Sequence, residues 1–136
     1  IIIFDDYAHH PTEIKATLSS IKLAYKDRRI IAIFQPHRYS RTELLLNYFK
    51  DAFEYADNLI ITDIYAAGEN EISGISGETI FDIVKNGNNK TKYIKNIDDI
   101  IPELDKMKKD GDIILTLGAG NISRISNEYA KKLLDS

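Results

Sequence analysis

The chain has 136 residues, of which 43% are hydrophobic and 29% charged, and its net charge of −3 provides no basic surface for nucleic acid. It has no cysteine, which excludes disulfide bonds and thiolate zinc sites. No apolar run approaches the roughly 20 residues that span a bilayer. A chain of this length fits one domain with its own core. We therefore expect a single domain whose partners are neither nucleic acid nor a membrane.

Short apolar runs alternate with apolar residues at helical spacing along the whole chain. The sequence predicts five strands, at Ile1–Phe4, Ile30–Phe34, Leu59–Ile64, Lys92–Ile94 (weak) and Ile113–Leu117. The helices predicted after them, in the same order, span Ile14–Tyr25, Leu45–Ala56, Thr79–Lys85, Ile97–Lys109 and Ile122–Leu133. Pro102 is expected to break the fourth helix. Strands that are apolar throughout are typical of parallel sheets buried on both faces. The pattern predicts a doubly wound α/β domain with a mostly parallel sheet of five or six strands and helices on both faces.

A conspicuous polar motif follows four of the predicted strands. The motifs are DDYAHHP at residues 5–11, QPHRYSRT at 35–42, IYAAGE at 64–69 and GAGN at 118–121. Because open α/β sheets bind ligands at the carboxyl ends of their strands, we expect the four motifs to share one rim. All three histidines of the chain lie in the first two motifs, so they are expected to be close in space.

The first motif also begins a helix. Pro11 suits the first helical position, and Glu13 is placed to reach back to the cap. The motif's other polar residues have no such structural explanation: Asp5, Asp6, Tyr7, His9 and His10.

The two acids of this motif have different expected roles. A structural cap or ion pair is favoured for Asp5, whereas Asp6 is favoured as an acceptor for ligand hydroxyls. A histidine metal site is not expected, because the adjacent His9 and His10 should point apart.

The second motif contains a capping-box pattern, SRTE at residues 40–43, with Ser40 as the expected cap. Arg41 then lies in the first helical turn, where the positive end of the helix dipole disfavours a cation. Arg38 and His37 come just before it. A bound anion would relieve this concentration of positive charge, through guanidinium forks and backbone N–H groups.

Two alternatives to ligand binding stay open. The arginines of the second motif could point into solvent or pair with Asp63 or Glu69. The GAGN turn could cradle an anion, or it could be a plain glycine turn with Asn121 as a helix cap, because GxG alone is a weak signal.

The motifs DDYAHHPTEI, FQPHRYSRT, DIYAAGE and LTLGAGNI resemble, in order and spacing, the C-terminal domain of the Mur ligases. The resemblance covers essentially all 136 residues, and its first two motifs are the most specific. It is strongest to members that join L-alanine to UDP-N-acetylmuramate, and it separates these less well from the ligase that recycles murein tripeptide.

The resemblance implies one domain, residues 1–136, of a three-domain bacterial cytoplasmic enzyme of peptidoglycan synthesis. The missing N-terminal domain would bind the UDP-sugar, and the missing central domain would hold the phosphate loop and most of the Mg²⁺ ligands. The reaction implied is an ATP-dependent ligation: the muramate carboxylate forms an acyl phosphate, which the amine of L-alanine attacks. The present domain would close over ATP and help to hold the amino acid.

Residue roles follow from the same resemblance. Asp6 resembles the acid that contacts the ATP ribose. The residues that resemble the lining of the alanine site are Tyr7, His9, Arg38 and Arg41, with His37 beside them. The resemblance assigns no catalytic residue and no metal ligand to this chain.

Small departures from the family pattern occur at Ala66, where proline is frequent, and at Asn121, where aspartate is frequent. The chain also lacks a GxxxxGK(S/T) phosphate loop, so residues 1–136 alone are expected to have no ligase activity.

Two other classes compete with this interpretation. A phosphoacceptor signalling domain would account for the positions of Asp5, Asp6 and Asp63, but it needs a lysine after the last strand, where this chain has LGAG. A non-catalytic module could use the same rim to bind a nucleotide or a small acid.

Overall fold

The computed structural model describes residues 1–87 and 90–136, which form an α/β domain around one five-stranded parallel sheet. Its strands are β1 (Ile2–Asp6), β2 (Ile30–Phe34), β3 (Asn58–Ile61), β4 (Lys90–Tyr93) and β5 (Ile113–Leu117), in the spatial order β1-β5-β2-β3-β4. Its α-helices are α1 (Pro11–Ala24), α2 (Tyr39–Leu45), α3 (Gly77–Val84), α4 (Ile100–Met107) and α5 (Ser123–Leu134). Short 3₁₀ helices occupy Leu46–Phe49 and Ile97–Asp99.

Helices cover both faces of the sheet, as a parallel sheet requires. Every residue of β2, β3 and β5 is buried. On one face, alternate strand residues pack against α1, α3 and the segment after α2, through Leu18, Phe49 and Ile80. On the other face, the intervening strand residues pack against α4 and α5, through Leu104 and Tyr129. The predicted doubly wound architecture is confirmed, with five strands.

Several predicted boundaries were wrong. Strand β1 continues through Asp5 and Asp6, so these acids lie within the strand and not after it. The α-helix expected over Leu45–Ala56 does not form: α2 ends at Leu45, and a 3₁₀ helix and turns follow it. The apolar residues of that stripe are nevertheless buried from Phe49 onward, whereas Leu45 is only partly buried. Pro102 does not break a helix: it lies in the first turn of α4, where its missing N–H has no intrahelical partner to lose.

Strand β5 lies between β1 and β2, and this position creates the crevice that binds ligands in such folds. The loops after β1 and β2 lead to α1 and α2 on one face, whereas the loop after β5 leads to α5 on the other. Loops that diverge to opposite faces open a cleft at the carboxyl ends of the strands. This cleft lies on both sides of β5, and the predicted motifs surround it.

The opposite end of the sheet is stabilised by an ion pair. Arg29 donates to both carboxylate oxygens of Asp112, over 3.0 and 2.6 Å, and also to the carbonyl of Met107 over 2.7 Å. The Asp112 side chain is only 3% exposed, so this bidentate pairing compensates the burial of its charge. Within residues 1–87 and 90–136, no helix is long and apolar enough to cross a membrane.

Candidate functional site

The carboxylate of Asp6 begins the site on the β1 side of the crevice. Its Oδ1 accepts from the Ala8 N–H over 2.9 Å, and its Oδ2 accepts from the Thr17 hydroxyl over 3.1 Å. Each oxygen has a second lone pair, so Asp6 keeps acceptor capacity for ligand hydroxyls. Asp5 is tied to the neighbouring strand instead, because its Oδ1 accepts from the Thr116 hydroxyl over 2.6 Å.

His10 has the structural role that the sequence did not suggest. It is the N-cap of α1: its Nδ1 accepts from the Thr12 N–H over 3.2 Å, while the Glu13 carboxylate accepts from the His10 N–H over 3.3 Å. Pro11 occupies the first helical position as expected. The expectation that His10 has no structural role was therefore wrong.

The turn after β2 holds Arg38 in an unusual backbone conformation. Arg38 has a φ of 69°, and it is the N-cap residue of α2 without a capping side chain. Its N–H donates to the carbonyl of Tyr65 over 2.8 Å, and its carbonyl accepts from the Thr42 hydroxyl over 2.8 Å. The prediction of Ser40 as the cap was wrong, because α2 already begins at Tyr39.

A carboxylate from a distant loop occupies the start of α2. Glu69 accepts from the Ser40 N–H over 3.1 Å and from the Ser40 hydroxyl over 2.5 Å. The hydrogen bonds from Ser40, with a smaller contribution from the charge of Arg38, hold the pKa of Glu69 below its ordinary value. The backbone N–H groups that were expected to receive a ligand anion are thus partly satisfied within the chain.

The guanidinium groups nevertheless stay available. Among the residues that the structure describes, neither Arg38 nor Arg41 has a carboxylate within ion-pair distance. Glu69 bonds to Ser40, and Asp63 accepts from the N–H groups of Ile64 and Gly77. Of the alternatives left open by the sequence, the pairing of the arginines with Asp63 or Glu69 is therefore wrong. The two arginines line a shallow cleft of about 200 Å³ with Ser40 and Leu44.

Three rings from three loops meet beside the arginines. The His37 ring lies 5.8 Å from the His9 ring and 5.7 Å from the Tyr65 ring, and it is nearly parallel to the latter. The Nδ1 atom of His37 is buried without a hydrogen-bond partner among the described residues. Burial, followed by the nearby His9, Arg38 and Arg41, lowers the pKa of His37 below its ordinary value. The structure thus confirms that histidines from the first two motifs are close in space.

The sequence did not single out Tyr65, Gln35 or Gly120, which close this side of the crevice. A Cβ on Gly120 would lie 2.5 Å from Tyr65 Cγ and 2.7 Å from Gln35 Oε1, so only glycine fits against the ring. The Gln35 amide donates to the Asn121 Oδ1 over 2.6 Å, and the side chain of Asn121 therefore does not cap α5. The sequence signal that points to Tyr65 is the irregular stretch YAAGENEISGISG at residues 65–77, because loops of that length are often functional.

The predicted site residues form two groups on either side of β5. Asp6 and Phe34 both pair with Leu117, one from each side, which places their backbones about 10 Å apart at the same level of the rim. Tyr7 is 73% exposed, and its carbonyl lies 3.1 Å from His9 Nδ1. The first group is thus an acid that can accept hydrogen bonds from hydroxyls, and the second consists of rings and of guanidinium groups whose chemistry suits an anion.

This arrangement is typical of one class of protein, the parallel α/β domains that bind a small anionic ligand or a nucleotide at the carboxyl ends of their strands. The comparison with known families gives the particular one. The chain belongs to the Mur ligase family, because the family model described as "Mur ligase, glutamate ligase domain" matches residues 1–120.

Individual relatives agree with this family. A UDP-N-acetylmuramate–L-alanine ligase of Brachyspira hyodysenteriae is 73% identical over 98% of the chain, and one of a Sulfurihydrogenibium species is 48% identical over 98% of it. The match spans only 29% of the length of either relative.

Solved structures share the fold. The UDP-N-acetylmuramate–alanine ligase of Thermotoga maritima superposes on 98% of the chain with a TM-score of 0.73 and 27% identity, and the match covers 27% of that protein. A murein peptide ligase of Psychrobacter arcticus, at 24% identity and a TM-score of 0.73, matches 96% of the chain and 27% of its own length.

Proposed function

We propose that residues 1–136 are the C-terminal domain of a three-domain bacterial ligase that uses ATP to join L-alanine to UDP-N-acetylmuramate in peptidoglycan synthesis. The high identity to the Brachyspira hyodysenteriae ligase supports the reaction and its substrates. The observation that carries the role of this domain is the pair Arg38 and Arg41, without carboxylate partners in the described part of the chain, beside the ring of His37.

The amino-acid carboxylate is the ligand that best matches this group. A guanidinium can bind both oxygens of a carboxylate at once, and two such groups fix its orientation. The low pKa of His37 keeps its imidazole neutral, so it can donate one hydrogen bond without adding a charge. The ring of His9 lies 5.8 Å from that of His37, and the exposed Tyr7 belongs to the same loop as His9, so we propose that these two residues restrict the position of the rest of the amino acid.

Asp6 is proposed to accept hydrogen bonds from the ribose hydroxyls of ATP. Its two internal donors fix the orientation of the carboxylate and leave one lone pair on each oxygen. The phosphate groups of ATP would then lie at the rim between Asp6 and the arginines. Bound ATP supplies the phosphoryl group that activates the muramate carboxylate.

The metal is assigned to another part of the full-length enzyme. Residues 1–87 and 90–136 contain no group of three His, Cys, Asp or Glu side chains that could hold an ion. We propose that most Mg²⁺ ligands, the phosphate loop and the UDP-sugar site belong to two further domains, because the chain spans only 29% of the length of its relatives. On this proposal the enzyme works in the cytoplasm, where ATP is available, and the isolated chain makes no product.

The test is phosphate release by the full-length enzyme with ATP and Mg²⁺, with UDP-N-acetylmuramate and L-alanine added separately and together. Sustained release only with both substrates is the expected result. Phosphate release that depends on murein tripeptide and not on L-alanine would replace the proposal by the recycling reaction. Phosphate release that does not depend on the sugar nucleotide would overturn both.

A further inference from the structure

The side chain of Glu69 reaches across from the loop after β3 to the first turn of α2. Its carboxylate accepts two hydrogen bonds from one residue, from the N–H of Ser40 over 3.1 Å and from its hydroxyl over 2.5 Å. These two bonds join residues that are 29 positions apart in the chain. Ser40 lies between Arg38 and Arg41, so the contact fixes the backbone that carries both arginines.

The same loop also fixes the backbone of Arg38. A residue other than glycine at a φ of 69° is strained, and it keeps that conformation only where its surroundings enforce it. Here the Tyr65 carbonyl accepts from the Arg38 N–H over 2.8 Å, while the Tyr65 N–H donates to the carbonyl of Pro36 over 2.9 Å. The loop after β3 therefore contacts the backbone of this turn at three residues: Pro36, Arg38 and Ser40.

Glu69 stabilises the turn that carries Arg38 and Arg41 without neutralising the charges of the two arginines. The carboxylate is close enough to Arg38 for its pKa to be lowered by that charge, yet the two form no ion pair. A carboxylate bound to the guanidinium would compete with a ligand carboxylate for the same donors. Because Glu69 uses its acceptors on Ser40, the guanidinium donors stay free of carboxylate partners within residues 1–87 and 90–136.

We propose that Glu69 is a positioning residue, which acts through Ser40 to direct Arg38 and Arg41 toward the amino-acid carboxylate. The inference rests on the proposed function and adds a residue to it. Glu69 lies outside both hydrophobic clusters and is partly exposed, so its removal leaves the core of the domain intact.

The experiment measures KM for the amino acid and KM for ATP separately in the full-length enzyme. Glu69→Ala is expected to raise the amino-acid KM about tenfold, the effect of weakening one charge-assisted contact, and to leave the ATP KM within about twofold. Glu69→Gln keeps one acceptor for Ser40, so it should recover most of the loss. Glu71→Gln removes an equal charge from an exposed position in the same loop, and it should change neither KM.

A double-mutant cycle tests the route through Ser40. Ser40→Ala should also raise the amino-acid KM. Combining it with Glu69→Ala should add little, because both substitutions disrupt the same contact between Glu69 and Ser40. Equal changes in both KM values, additive effects in the cycle, or an equal effect of Glu71→Gln would overturn the proposal. Failure of the wild-type enzyme to use L-alanine would instead overturn the proposed function.

Discussion

The imidazole of His37 is stacked on the phenol ring of Tyr65, with ring centroids 5.7 Å apart and ring planes 17° apart. The ring of His9 also lies near His37, with ring centroids 5.8 Å apart and ring planes 50° apart. These contacts fix the plane of the imidazole and leave its buried Nδ1 without a partner in the described chain. Protonation would put a positive charge on this partly buried ring beside two arginines, so the folded domain favours the neutral ring.

The stability of residues 1–136 should therefore depend on the protonation of His37. Burial, with the charges of His9, Arg38 and Arg41, lowers its pKa in the folded state below the ordinary 6.5. Between these two values the unfolded chain binds more protons than the folded chain, so the free energy of unfolding falls as the pH falls through this interval. His37→Gln should reduce the loss of stability between about pH 7 and about pH 5, as measured by urea unfolding.

The control for this experiment is His10→Asn. It removes another histidine from the rim, but asparagine is a good N-cap and should preserve α1. The interpretation of His37 is wrong if its variant and the wild type lose equal stability across this pH range.

The two roles of Asp6 can be separated by substituting its internal partner. Thr17→Val removes the hydroxyl that donates to Asp6 and should cost about 1 kcal/mol of unfolding free energy, with no change in the ATP KM. Asp6→Ala also removes the acceptor for the Ala8 N–H, so it should cost about 1–3 kcal/mol. If Asp6 binds ribose, the Asp6 variant alone raises the ATP KM, by about tenfold. An unchanged ATP KM in Asp6→Ala would show that Asp6 has only a structural role and does not bind the ribose.

Gly120→Ala should damage the site as well as the stability of the domain. Its Cβ would lie within 3 Å of Tyr65 and Gln35, so the Tyr65 ring must shift away from His37. We expect a loss of about 1–3 kcal/mol in stability together with a higher amino-acid KM in the full-length enzyme. Gly111→Ala is the matched control: its φ of 86° makes alanine strained, but the space around it is open and it lies at the other end of β5. Equal kinetic effects of the two substitutions would contradict the importance of the Tyr65 position.

Arg41→Ala should affect amino-acid binding more than ATP binding. Loss of one guanidinium from the carboxylate group is expected to raise the amino-acid KM about 10- to 100-fold, with a much smaller change in the ATP KM. Arg28→Ala removes an equal charge at the opposite end of the sheet, where the guanidinium lies over the Tyr25 ring, and should change neither constant. Equal changes in both KM values for Arg41→Ala would reject the assigned role.

Local sequence patterns were sufficient for most of the fold. Strands β2 and β5 have the predicted bounds because each is a five-residue apolar run buried on both faces. The common rim also followed from the sequence, since motifs after parallel strands must emerge at the same end of the sheet. The first helix was correctly started at Pro11, where the cap signals are local.

The errors arose where distant residues decide the local structure. The SRTE pattern satisfies the rule for a capping box, but Glu69 competes for the N–H and hydroxyl of Ser40 from 29 residues away. Tyr65 could not be placed against His37 from sequence, because that contact depends on the pairing of two strand extensions beyond β2 and β3. The requirement for glycine at position 120 depends on the same ring.

The position of β5 has a consequence for how the domain is made. β5 is the last of the five strands of this sheet in chain order, yet it pairs along its whole length with both β1 and β2, which do not pair with each other. Until it is synthesised, β1 has no neighbouring strand and cannot join the sheet. Synthesis therefore delays the meeting of the two halves of the crevice until residues 113–117 are available. Until that point β1 stays unpaired and needs protection from aggregation.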